Sequence, residues 1–137
     1  MGSERTVKLL LDTHIWLWAL LEPERLSTDV RDALQSSENE LWLSPISVWE
    51  ATLLAERGRV RVTSDAQTWV RQLLDAMPRR EAPVTNDIAI MSRQLTLTHQ
   101  DPADRFLAAT ACVMGLTLVT ADDRLLECAQ YDVMANR

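Results

Sequence analysis

The sequence predicts an α/β fold, a three-layer α/β/α sandwich around a central, mostly parallel sheet. Three observations carry that expectation. Short apolar runs recur without polar alternation, as strands covered on both faces require. Stretches with helical start and stop signals separate them. Strands alternating with helices imply βαβ units with right-handed crossovers.

The first run, "VKLLL" at 7–11, reads as a buried strand. A helix follows from His14 to Leu21. Trp16 and Trp18 stand two apart in it, so its apolar residues do not fit one stripe. Either both faces pack within the chain or one meets a second copy. After the turn "EPERLS" a helix covers Asp29 to Ser37, and "LWLS" at 41–44 is the second strand. The third helix runs from Ser47 to Arg57 with Gly58 as its stop. A fourth covers Ala66 to Ala76 and ends before Pro78. "EAPV" at 81–84 is a shorter strand candidate. Thr85 caps a fifth helix, Asn86 to Leu95. The sixth, Pro102 to Met114, stops at Gly115. Its "FLAATACVM" is apolar on nearly every face, which places it between other elements, and its alanines permit close approach to the sheet. "LTLVT" at 116–120 is the third strand, a short helix begins near Asp122, and the chain end near Val133 adds an edge strand.

No linker or internal repeat interrupts this series, and 137 residues suit a single domain, 1–137. A chain of this size buries about two-thirds of its unfolded surface. Hydrophobic residues make up 47% and charged residues 25%, ordinary for a globular protein. The net charge of -6 argues against a protein whose main task is to coat nucleic acid through a basic surface. It leaves a nuclease open, because carboxylates around a metal make their own negative patch. Cys112 and Cys128 have no metal-ligand spacing and make no disulfide framework, so a reducing compartment is expected. The run at 15–21 is too short to span a bilayer, and Asp12 and His14 before it are not a signal-peptide flank. The chain therefore reads as cytoplasmic, with no membrane.

Acids follow the apolar runs. Asp12 ends the first strand, where open α/β sheets place their ligands; a helix-capping role with Thr13 explains it equally. Glu50 follows the second strand, and Ser47 with Glu50 also has capping-box spacing. In "HQDPADRFLAATA", Asp101 fits an N-cap, Pro102 fits N1 and Asp104 falls at N3. Capping explains one of these aspartates and does not need both. After the third strand, Thr120 and Asp123 have capping-box spacing, which leaves Asp122 without a structural task. In a parallel sheet these positions share one edge. Carboxylates gathered there raise one another's pKa unless a cation joins them. Oxygen ligands suit Mg²⁺ or Mn²⁺, and the chain has no Cys/His zinc set. His14 and His99 read as structural or surface residues.

"LLLDTHIWLWAL", "SVWEATLLAERGRV", "HQDPADRFLAATA" and "LVTADDRLL" resemble the four acidic motifs of PIN-domain ribonucleases, most closely the VapC-type toxins of bacterial toxin–antitoxin operons. The likeness runs from about residue 7 to 134. It implies a Mg²⁺- or Mn²⁺-dependent endoribonuclease acting on RNA. It also implies a homodimer held in check by a cognate antitoxin, or a toxin–antitoxin heterotetramer or larger assembly. Carried over, Asp12, Glu50, Asp104 and Asp122 are the catalytic and metal-binding acids, with Thr120 as the hydroxyl residue of the last motif. Asp101 is a less certain ligand, and Arg105 is a candidate to steady the phosphate, unless it pairs with Asp101 or another surface acid. The stretch 59–100 carries no mapped motif.

Other readings stay open. One is a nuclease of RNA maturation or decay without an antitoxin. Another is a non-catalytic interaction domain whose acids are only caps. A receiver-type module needs a lysine after a late strand, and the only lysine is Lys8.

Overall fold

The computed structural model describes residues 6–137. Five strands form one sheet, β1 (Lys8–Leu11), β2 (Glu40–Leu43), β3 (Arg80–Glu81), β4 (Thr117–Thr120) and β5 (Asp132–Ala135). Their order is β3-β2-β1-β4-β5, and every pairing is parallel. The helices are α1 (Thr13–Leu21), α2 (Thr28–Gln35), α3 (Pro45–Glu56), α4 (Ala66–Asp75), α5 (Asn86–Gln94), α6 (Pro102–Met114) and α7 (Asp123–Leu126).

The strands divide the core by their period of two. Leu9, Leu11 and Val119 face a cluster built with Ile15, Trp16, Val30, Ala51 and Val70 of α1 to α4. Leu10 and Leu118 face the opposite cluster, built with Ile88 of α5, Leu107 and Ala108 of α6, and Leu125 of α7. Each fully buried leucine contributes roughly 1.5–3 kcal/mol. The expected three layers are therefore present, with the sheet wholly parallel rather than mostly so. Among the described residues no helix is long and apolar enough to cross a membrane.

α6 is buried as its composition predicts, with Leu107, Ala108, Ala109 and Ala111 at 1% exposure or less. Gly115 ends it at φ +66°, the left-handed cap. In α1 both questionable tryptophans pack within the chain. Trp16 is buried, and Trp18 is partly buried with the Arg25 guanidinium 5.0 Å over its ring.

Three local expectations need correction. α3 starts two residues earlier than expected, because Ser44 caps it and Pro45 takes N1, so Ser47 and Glu50 form no capping box. α7 is capped by Asp122, not Thr120. The strand expected at 81–84 is Arg80–Glu81. Ala82 adds one more hydrogen bond, to the Leu43 carbonyl, and Pro83 then has no N–H to continue.

Candidate active site

The chain reverses direction across the sheet between β1 and β4, since β2 lies on one side of β1 and β4 on the other. A parallel sheet opens a crevice at such a point, beyond the carboxyl ends of its strands. Asp12 follows β1 there, and Thr120 ends β4 beside it. The Asp12 amide donates to the Val119 carbonyl at 3.1 Å, which locks the two strand ends together.

The side chains build on that frame. Asp12 Oδ1 accepts from the His14 amide at 2.9 Å and so caps α1, while Oδ2 accepts from Thr120 Oγ1 at 2.6 Å. Thr120 Oγ1 in turn accepts from the Asp122 amide at 3.0 Å. Asp122 caps α7 through Oδ1 and holds the Arg124 guanidinium at 3.1 and 2.9 Å. The capping reading of Asp12 and its placement at a ligand edge are thus both true, because the cap uses one oxygen only.

Glu50 reaches the same region from α3. Thr13 Oγ1 donates to its Oε1 at 2.5 Å and stands 2.9 Å from Ser47 Oγ. A hydroxyl has one proton, so with Thr13 turned to Glu50 the Ser47 hydroxyl donates to Thr13. Asp101 caps α6 by accepting from the Asp104 amide at 3.1 Å. That leaves the Asp104 carboxylate free, and its Oδ2 lies 2.6 Å from His99 Nε2.

Asp12, Glu50, Asp101, Asp104 and Asp122 all line one cleft of about 450 Å³. His14, Trp18, Ala121 and Arg124 complete its walls. Burial pushes the Glu50 carboxyl above its usual value against the Thr13 hydrogen bond, and Asp104, Asp12 and Asp101 push the same way. Burial likewise raises Asp104 against its His99 hydrogen bond, with Asp101 and Asp12 adding to the rise. Asp122 goes down instead, held by the hydrogen bond from Arg124. A cation among these carboxylates would offset both their burial and their mutual repulsion. An oxygen-rich donor set fits a hard ion such as Mg²⁺ or Mn²⁺. The residues present therefore fit a divalent metal.

Arg105 does different work from that expected of it. It is 4% exposed and pairs with no acid among the described residues. Its Nε donates to the Ser92 carbonyl, Nη1 to Leu97 and His99, and Nη2 to Leu95, all between 2.7 and 3.0 Å. The guanidinium is spent on the turn between α5 and α6. Arg124, exposed at the cleft wall, rests its guanidinium on Asp122. The sequence suggests Thr13 only as a helper of the Asp12 cap and His99 only as a structural or surface residue, whereas in the fold they contact Glu50 and Asp104. The proximity of His99 to "DPAD" was the one available signal, and it becomes informative only when the chain folds back onto Asp104.

Comparison with known proteins agrees with this architecture. The PIN-domain family model matches residues 9–130. Ribonuclease VapC22 of Mycobacterium tuberculosis is 36% identical over 118 residues, covering 85% of this chain and 88% of that protein. Among solved structures, a chain of the DNA-bound VapBC from Salmonella typhimurium superposes with a TM-score of 0.71 at 18% identity, covering 96% of this chain and 100% of that one. A chain of FitAcB from Neisseria gonorrhoeae gives 0.67 at 24% identity, covering 93% and 97%.

Proposed function

The chain belongs to the PIN-domain family, and from that premise we propose that it is a Mg²⁺- or Mn²⁺-dependent endoribonuclease, the toxin of a toxin–antitoxin pair. The observation that carries this reading is the meeting of five carboxylates from four separate segments in one cleft.

In this reading Asp12, Asp104 and Asp122 hold the metal, with Asp101 at the rim and Glu50 either joining a second ion or orienting the attacking water. When bound, a divalent ion supplies acidity to a water and neutralises charge on the scissile phosphate. Thr120 fixes the rotamer of Asp12 through one oxygen and leaves the carboxylate its remaining lone pairs. Thr13 does the same for Glu50. Burial raises the Glu50 pKa, which makes its carboxylate a stronger base toward a nearby water. Arg124, paired with Asp122 at the cleft wall, would offer its planar donor group to a phosphate oxygen, while Asp122 would help to hold the ion.

Two features support a protein partner. The Arg124 guanidinium already rests on Asp122, and an arginine from an antitoxin would meet the acids in the same way. Beside the cleft a second hollow holds Trp49, which is 55% exposed, with Leu53, Leu54 and Pro102. A short apolar segment carrying one arginine fits both. The working assembly is a homodimer, or a heterotetramer or larger complex with the antitoxin, in the cytoplasm.

Induced expression tests the toxin reading. Growth stops with the parent, continues with Asp12→Asn, and resumes when a protein encoded beside it is co-expressed. A parent that cleaves RNA without arresting growth is a maturation or decay nuclease instead.

A further inference from the structure

His99 is held at its backbone and at its ring. Its side chain is 8% exposed. Its carbonyl accepts from Arg105 Nη1 at 3.0 Å, and the same guanidinium nitrogen holds the Leu97 carbonyl at 2.9 Å. A buried cation thus fixes the backbone that delivers the imidazole. Its Nε2 meets Asp104 Oδ2 at 2.6 Å. One ligand atom each from His99, Asp104 and Asp122 all lie within 4.8 Å of one another. Neighbouring ligands on a six-coordinate ion with bonds of about 2.1 Å stand about 3 Å apart, and opposite ones about 4.2 Å. The three atoms need only small adjustments to share one ion.

Resting on the metal-dependent nuclease reading above, we infer that His99 is a nitrogen ligand of the divalent ion, so that the site prefers Mn²⁺ to Mg²⁺. Mg²⁺ favours oxygen donors and keeps its waters, whereas imidazole suits first-row transition ions. Without an ion, Nε2 carries the hydrogen and donates to Asp104. With an ion, Nε2 offers its lone pair, and the single ring hydrogen resides on Nδ1. Asp104 exchanges its contact with the imidazole for one with the metal. The histidine is therefore a selector of the ion as well as a brace for Asp104.

The test uses the full chain and Mn²⁺ itself. Pulsed electron paramagnetic resonance of the Mn²⁺-loaded parent shows coupling to one ¹⁴N nucleus, and His99→Gln loses it. Calorimetric titration shows Mn²⁺ binding weakened on the order of ten-fold in His99→Gln, with Mg²⁺ binding changed far less. Gln can still donate a hydrogen bond to Asp104, so a role limited to that bond survives the substitution. Bound Mn²⁺ without nitrogen coupling in the parent overturns the ligand assignment and leaves the nuclease reading standing. An unchanged Mn²⁺ to Mg²⁺ preference in His99→Gln also overturns it. A parent that binds neither ion overturns both.

Discussion

Thr120 Oγ1 donates to Asp12 Oδ2 at 2.6 Å, across 108 positions of sequence. The bond joins the ends of β1 and β4 at the point where the sheet's strand order turns outward in both directions. It also ties Asp122 to Asp12, because the same hydroxyl accepts from the Asp122 amide. Thr120→Val keeps the shape and removes both contacts. RNA cleavage should fall about ten-fold in kcat, the equivalent of one buried hydrogen bond of about 1.4 kcal/mol, with KM little changed. Thr120→Ser should restore most of it. Equal activity in parent and Thr120→Val would mean that Asp12 needs no such brace.

Arg105→Ala should destabilise the fold by about 3 kcal/mol or more in urea denaturation. Three buried carbonyls and one partly buried one lose their donor at once. Arg105→Lys should recover only part, since a single ammonium does not span the fork. A change under about 0.5 kcal/mol, as for a surface residue, would contradict the role assigned to it.

Stability without metal should depend on pH through Glu50 and Asp104. Both carboxyls have raised values in the folded chain, chiefly from burial. The native state then holds more protons than the unfolded chain between the ordinary carboxylate values and the raised ones. Stability therefore falls as pH rises through that window, beginning at about pH 4. The penalty is absent below the window and complete above it. Thermal melting in chelator should show this decline, with a shallower slope in Glu50→Gln and Asp104→Asn. Added Mn²⁺ should raise the melting temperature of the parent at neutral pH. A parent whose chelated melting temperature rises with pH across the window would contradict this electrostatic account.

Gly115→Ala isolates a backbone effect. Gly115 lies at φ +66°, and an added Cβ meets nothing within 4 Å. The cost is therefore conformational alone, roughly 1–2 kcal/mol, and cleavage should be untouched. Thermal or urea melting reads it; no loss of stability would show that the left-handed cap is not needed.

The layers, the strand runs at β1, β2 and β4, and the buried α6 were legible because apolar runs and helix punctuation are local signals. So was the capping of α6 by Asp101, with Pro102 at N1. The Ser47 and Thr120 boxes failed for one reason. Each motif had a competing hydroxyl or carboxylate nearby, Ser44 before Pro45 and Asp122 before Asp123, and the backbone chose that one. The freed hydroxyls then served the cleft. Asp12 after β1 and Asp122 after β4 lie where the strand order implied, whereas Glu50 lies within α3 and Asp101 and Asp104 open α6, which follows α5 rather than a strand. Arg105 was misjudged because a charged residue directly after an acid looks exposed, whereas its partners are backbone carbonyls that sequence does not display. The His99 contact with Asp104 was illegible for a similar reason, since it depends on how the Arg105-bound turn closes.

The central claim is that the acids of the cleft act together through a divalent ion to cut RNA. Cleavage of defined RNAs by the parent and by Asp104→Asn, each with Mn²⁺, with Mg²⁺ and with chelator, tests it most directly. The account predicts cutting by the parent with metal, none in chelator, and none by a folded Asp104→Asn under any condition. Equal cutting by Asp104→Asn, or undiminished cutting by the parent in chelator, would contradict it.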